Sequence, residues 1–302
     1  MLNKEYFNDK NLKQVSGYAE TKYVPSYLVY PKSLEDLNNI INIAIENKIS
    51  ICCRGNGLSY ADLVTNKDNI LIDLTLFKNI KSWSKDTGII DLEPGVSFGD
   101  VFNLTMLDGW ILPCCPGSMD ITIGGAISNN VHGKDSYKMG NFGNNVISMK
   151  VLLSSGKIIY VSRKENAEIF KAIIGGMGLL GIIIEAKLKL KKISSPFVET
   201  SNVLSKNIYE TIEVFDKYKD EYDFSVAWAD CFSSEQSLGR GFVSLAKWSG
   251  EKKIEKKLLE KSLIKSNRKS NLIFNVLPSK PTWFILKYFA NRQTFKYFNK
   301  FF

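Results

Sequence analysis

Gly176-Met-Gly-Leu-Leu-Gly181 satisfies the G-x-G-x-x-G string of dinucleotide-binding sheets, and what flanks it decides the fold. That fingerprint needs a strand before it and a helix after it, so that a pyrophosphate meets a helix N-terminus. Here the order is reversed. Glu165 to Ile174 carries helical spacing, and Ile182 to Leu190 is a β-rich apolar run. The loop can still bring backbone N–H groups near a ligand, but not in the manner of a doubly wound nucleotide fold.

Working outward, Ile147 to Leu153 and Lys157 to Val161 read as a hairpin around Ser154-Ser-Gly156. Pro116-Gly-Ser-Met-Asp-Ile-Thr-Ile-Gly-Gly125 combines a tight turn with a Gly-Gly pair and leads to His132, the sole histidine. Ile89 to Glu93 is a strand that turns at Pro94-Gly95 into a helix reaching about Asp108. Ser33 caps an amphipathic helix with Leu34, Leu37, Ile40, Ile41, Ala44 and Ile45 on one face. Ile49 to Cys53 and Ile70 to Leu74 read as strands on either side of the polar loop Arg54-Gly-Asn-Gly-Leu-Ser-Tyr60. After Pro196 the glycine density drops, which places a domain boundary near Ser194: a first domain over 20–193 and a second over 194–302. Phe224 to Phe232 with the loop Ser237-Leu-Gly-Arg-Gly241 then suggests a new strand and turn.

At roughly 150 residues per domain, 302 residues accommodate two domains, and 44% hydrophobic with 24% charged residues is ordinary globular usage. The longest uncharged apolar stretch, Ala172 to Ile184, has thirteen residues and four glycines, short of the ~20 that a membrane-spanning helix needs. The N-terminus offers no apolar signal region, which predicts a cytoplasmic protein. Five cysteines, two adjacent pairs plus Cys231, read as reduced core thiols rather than a disulfide framework. With one histidine and no Cys-x-x-C, no metal site is expected.

Net charge is +9, but Leu245 to Phe302 holds fourteen Lys/Arg against three Glu, a local +11 that leaves the first 244 residues at −2. A general nucleic-acid-binding face is therefore not implied, and no nucleic-acid partner is expected. The tail opens with i,i+4 Glu–Lys spacing over Glu251–Lys261, which suits a solvated helix. From Phe274 to Phe302 ten aromatics interleave with Lys280, Lys287, Arg292, Lys296 and Lys300. That mixture suits a lipid headgroup surface, and equally a core-facing helix with lysine stems outside.

Three glycine loops, each at a strand end, imply an extended ligand touched at several points. Ser59, Ser118, Thr122 and Arg54 add hydroxyl and guanidinium donors suited to a pyrophosphate, so a large phosphorylated cofactor fits.

Taken together, Arg54-Gly-Asn-Gly-Leu-Ser-Tyr, Glu93-Pro-Gly-Val, Pro116-Gly-Ser with Thr122-Ile-Gly-Gly-Ala, Asn130-Val-His-Gly-Lys and Gly175-Gly-Met-Gly-Leu-Leu-Gly-Ile resemble the FAD-binding domain of the vanillyl-alcohol-oxidase/para-cresol-methylhydroxylase (PCMH-type) superfamily, nearest to its decaprenylphosphoryl-β-D-ribose oxidase group. The resemblance implies an α+β fold class, with two α+β lobes holding FAD between them and an α+β substrate domain capping the flavin. It implies that Arg54, Gly55, Asn56, Gly57, Leu58, Ser59, Tyr60 and Asp62 wrap the pyrophosphate and flavin side. Pro116, Gly117, Ser118, Thr122, Ile123, Gly124, Gly125 and Ala126 would line the pyrophosphate and ribityl chain. Asn129, His132 and Gly133 would approach the isoalloxazine, while Gly176, Gly178, Gly181 and Ile182 would sit near the adenine half.

Many superfamily members attach FAD through a histidine in the first glycine loop, where this chain has Leu58, so the resemblance implies non-covalent FAD. Relatives continue well past the point matched by Phe302, which makes an incomplete substrate domain the expectation. The implied activity is oxidation of a sugar C–OH, on a small-molecule or lipid-linked and phosphorylated substrate of cell-envelope polysaccharide synthesis. The alternatives are an aldonolactone oxidase of the D-arabinono-1,4-lactone type, and a non-catalytic FAD-binding subunit of a split enzyme. His132 is the candidate base, since an ordinary imidazole titrates near ~6.5. Lys134 would face the substrate and hold an anionic phosphate, and Tyr60 is a second substrate contact. Peripheral contact with the inner face of the membrane through the basic aromatic tail, and a short-chain reductase partner in the same pathway, complete the expectations.

Overall fold

The computed structural model describes residues 6–233, 235–250, 272–273, 277–278 and 293–294. The expected Glu251–Lys261 helix and nearly all of the basic aromatic stretch lie outside them. The chain divides into two compact units, Met1–Lys192 and Ile193–Phe302.

The first unit contains two sheets. Strands β1 (Leu12–Val15) and β2 (Val24–Val29) are followed by helix α1 (Leu34–Glu46), β3 (Ile51–Arg54) and β4 (Ile70–Asp73). They form a sheet of order β1-β2-β4-β3, in which β1 pairs antiparallel to β2 and the other pairings are parallel. Helix α1 starts at Ser33 because the hydroxyl accepts the Asp36 N–H (3.1 Å) and the Asp36 carboxylate accepts the Lys32 N–H (2.7 Å). Its apolar stripe, Leu37, Ile40, Ile41 and Ala44, packs in one core with Ile70 and Ile72. β3 starts at Ile51 rather than Ile49, because the Ile49 N–H is drawn back to the Ala44 carbonyl in the turn that closes α1 (2.8 Å).

The chain continues through β5 (Ile80–Ser84), β6 (Ile89–Leu92), α2 (Phe98–Thr105), β7 (Trp110–Ile111), α3 (Ile123–Ser128), α4 (Ser136–Met139), β8 (Val146–Leu152), β9 (Ile158–Ser162), α5 (Ala167–Ile173), β10 (Ile182–Lys189) and β11 (Lys191–Lys192). The second sheet is antiparallel throughout, of order β5-β6-β10-β8-β9. Leu152, Ile182 and Ile184 of this sheet enter the core under α1, so the two lobes share apolar packing. Gly176–Gly181 lies between α5 and β10, after a helix and before a strand, as its flanks require.

The second unit begins with β12 (Val198–Ser205), α6 (Ile208–Tyr218), β13 (Phe224–Ala229) and β14 (Gly241–Trp248), an antiparallel sheet of order β12-β14-β13. Val243 and Leu245 are its buried centre, and Thr211 of α6 is buried too, its hydroxyl 2.8 Å from Ser205 Oγ. A short pair, β15 (Leu272–Ile273) and β16 (Leu277–Pro278), is also antiparallel. The fold is α+β.

All five cysteines are free thiols, but they are not all in the core. Cys114 is buried, Cys52, Cys53 and Cys115 are half-buried, and Cys231 is exposed because β13 ends at Ala229 and the chain turns outward. Among the described residues, no helix is long and apolar enough to cross a membrane.

Candidate functional site

The three glycine loops of the first unit converge on one cleft of about 620 Å3, within the ~300–1,000 Å3 usual for cofactor sites. The first loop runs from the end of β3 and contributes every residue from Arg54 to Tyr60; the second contributes Pro116, Gly117, Ser118, Thr122, Gly124 and Gly125. Gly178, Gly181 and Ile182 come from the third, and Asn129 and His132 from the segment after α3.

The loops are stitched together by contacts that only close backbone approach allows. A Cβ on Gly55 would stand 2.1 Å from Thr122 Oγ1, and Asn56 Nδ2 donates to the Asp120 carbonyl (2.6 Å). The third loop is tied to α3 by Gly175 N–H to the Ile127 carbonyl (3.0 Å) and Met177 N–H to the Ser128 carbonyl (2.8 Å).

What the loops can donate differs from the sequence expectation at two places. Arg54 turns inward: its guanidinium lies 3.8 Å from the Asp73 carboxylate and donates to the carbonyls of Gly55 (3.4 Å) and Val64 (3.5 Å). It braces the loop rather than offering a fork to a pyrophosphate. The start of α3 is also occupied. Ile123 N–H donates to the Val96 carbonyl, Gly124 N–H to the Pro94 carbonyl, Gly125 N–H to Thr122 Oγ1 and Ala126 N–H to the Thr122 carbonyl. Ile123 and Ala126 are wholly buried and do not line the cleft.

The unspent donors are elsewhere. Among the described residues, the backbone N–H groups of Gly55 to Tyr60 and of Gly117 and Ser118 donate to no protein acceptor. Successive N–H groups left open along a turn with a left-handed glycine, here Gly57 at φ +72°, form an anion-binding concavity. This donor set fits the pyrophosphate of a dinucleotide.

Of the three catalytic candidates, His132 and Tyr60 line the cleft and Lys134 does not. His132 is exposed, and its imidazole has no hydrogen-bond partner among the described residues. Tyr60 is 74% exposed and meets Tyr18 edge-on, ring centres 5.6 Å apart. Lys134 is exposed outside the cleft, with its N–H donated to the Cys115 carbonyl (3.2 Å). Asp62, Gly133 and Gly176 also fall outside the lining: Asp62 faces solvent in a short 3-10 turn, and the two glycines pack against the backbones of Cys115 and Ala172.

Sequence reasoning missed Tyr18, Cys53, Ser128, Met177 and Ile183 in the lining. Cys53 and Ile183 sit beside identified neighbours, where strand alternation could have flagged them. Tyr18 carries no local signal, because its N–H is held by the Ser59 carbonyl (2.8 Å) from a loop forty residues away. Burial pushes the thiols of Cys53 and Cys115 up to about 12, Cys52 adding to the first and Asp135 to the second.

Residues 25–162, which hold the first two loops, match the family model of an FAD-binding domain. The chain carries an FAD-binding domain. It is 30% identical over 207 residues to decaprenylphosphoryl-beta-D-ribose oxidase of Mycolicibacterium smegmatis, covering 68% of this chain and 45% of that protein. It is 28% identical over 181 residues to cytokinin dehydrogenase 3 of Arabidopsis thaliana (57% and 34%), and 27% identical over 219 residues to a D-lactate dehydrogenase of Anaerostipes hadrus (70% and 44%). The chain spans less than half the length of these curated relatives.

Proposed function

We propose that this chain is the cofactor-binding part of an FAD-dependent oxidoreductase that oxidises a sugar C–OH, on a lipid-linked or phosphorylated substrate. The observation that carries the reading is the presence in one cleft of the open N–H groups of Gly55 to Tyr60 and an unpartnered His132. The likeness to a ribose oxidase supports the sugar alcohol.

FAD, when bound, supplies the acceptor for the hydride of the C–H bond. The first-loop N–H groups would hold the pyrophosphate, with the Ser59 and Ser118 hydroxyls at the same walls. His132 Nε2 or Nδ1 takes the hydroxyl proton as the C–H bond breaks, so that proton and hydride leave together as a carbonyl forms. Tyr60 and Tyr18 present an aromatic wall at the exposed rim. The first loop offers no covalent link to the flavin, since Leu58 has no group to form one, which supports non-covalent binding.

The test is the visible spectrum of the purified protein before and after acid precipitation. Yellow protein that releases its flavin to the supernatant supports the reading. Flavin kept in the pellet overturns non-covalent binding, and a colourless protein that takes up no added FAD overturns the whole.

A further inference from the structure

The cleft has a fastening that the reaction does not use. Asp135 is 1% exposed, and its two carboxylate oxygens accept the N–H of Cys114 (3.0 Å) and of Cys115 (2.8 Å). Cys114 is held at φ +64°, a left-handed conformation that a non-glycine residue adopts only when its surroundings impose it. The next residue, Cys115, leads directly into Pro116, Gly117 and Ser118 of the cleft wall.

The carboxylate itself comes from the segment that presents His132. Further contacts order this segment and close it onto the first. Lys134 N–H donates to the Cys115 carbonyl (3.2 Å). Gly133 N–H donates to Ser136 Oγ (2.8 Å), and a Cβ on Gly133 would stand 2.5 Å from the Cys115 backbone. Ser136 Oγ also lies 3.6 Å from Cys114 Sγ. Residues 114–115 and 133–136 thus form a clasp, and each arm ends in a wall of the same cleft.

We propose that Asp135 is a positioning residue of this cleft: its buried carboxylate fixes the separation between the Pro116–Ser118 wall and His132, and thereby the fit of the cofactor between them. A carboxylate suits this task because it accepts two N–H groups at once and donates none, and charged acceptors make the stronger hydrogen bonds. An asparagine in its place keeps one acceptor and sets an NH2 group against the second N–H. The inference rests on the reading of the cleft as an FAD site.

The experiment compares wild type, Asp135→Asn, the milder Ser136→Ala and, as a control, Thr105→Val. Thr105 is buried in the same unit, its hydroxyl within reach of the Val101 carbonyl of α2 (3.0 Å) and the Trp110 carbonyl of β7 (2.9 Å), away from the cleft. Urea unfolding measures the stability each change costs, and FAD titration with visible circular dichroism of the bound flavin measures fit. Asp135→Asn is expected to raise the FAD Kd about ten-fold, equivalent to ~1.4 kcal/mol, and to change the flavin dichroism. Ser136→Ala is expected to move both in the same direction by less, and Thr105→Val to lower stability with Kd and dichroism unchanged. If wild type binds FAD while both clasp variants match it, or while Thr105→Val weakens binding as much, the positioning role is overturned and the FAD reading stands. If wild type takes up no FAD, the functional reading falls and this role falls with it.

Discussion

The contact between Gly55 and Thr122 makes the sharpest test of how the cleft is built. An alanine Cβ at 55 would stand 2.1 Å from Thr122 Oγ1 and 3.0 Å from its Cβ and Cγ2. Thr122 is 4% exposed and cannot swing into solvent, and its Oγ1 caps α3 by accepting the Gly125 N–H. Overpacking of this kind costs ~1–3 kcal/mol, and loss of an N-cap about 1 kcal/mol. Gly55→Ala is therefore expected to lose about 2–3 kcal/mol, with both terms acting through one side chain. Thr122→Ala alone loses the cap, about 1 kcal/mol. The double variant removes Oγ1 and Cγ2 from the clash, so its cost falls short of the sum of the singles by about 1 kcal/mol or more. Urea unfolding followed by far-ultraviolet circular dichroism reads the cycle, and an FAD titration reads it again at the cleft. Strict additivity, or a Gly55→Ala protein within ~0.5 kcal/mol of wild type, would refute the contact as the reason for glycine at 55.

Arg54→Met is expected to cost about 3 kcal/mol by stranding the Asp73 carboxylate, which is 7% exposed, and Asp73→Asn in the same chain to recover part of it; no recovery would contradict the inward reading of the guanidinium. His132→Ala is expected to slow sugar oxidation by the FAD-loaded protein ~10²–10⁴-fold, measured by stopped-flow flavin reduction at saturating FAD; an unchanged rate removes it as the base. For the thiols, iodoacetamide at pH 8 should modify exposed Cys231 and spare Cys53 and Cys115, which peptide mapping would show. Because these two thiols ionise near 9 when unfolded and about 12 when folded, their share of stability is intact below pH 9 and is lost as pH climbs toward 12. The loss is up to ~1.4 kcal/mol per pH unit for each thiol, and Cys115→Ala should flatten it.

The parts of the molecule that were legible in the sequence are those whose causes are local. Ser33 with Asp36 announces α1, the spacing of Leu37, Ile40, Ile41 and Ala44 gives its buried face, and Ser154-Ser-Gly156 marks the β8–β9 turn. The order of helix, Gly176–Gly181 and strand excluded the doubly wound sheet because secondary-structure type on each side of a loop follows from short windows. Which donors remain for a ligand does not follow from such windows. A glycine loop read alone offers every N–H it contains. The fold then spends some of them: Val96 and Pro94, distant from α3 in sequence, take the amides of Ile123 and Gly124, and Asp73 takes the guanidinium of Arg54 from the neighbouring strand. Asp135 is the same case inverted, a carboxylate beside Lys134 that no local motif singles out and that is buried against amides twenty residues back. Once those long-range debts are settled, the first loop is left as the donor face of the cleft and the start of α3 as its support. A phosphate group should therefore depend on the backbone path of Gly55 to Tyr60 far more than on any single side chain in it.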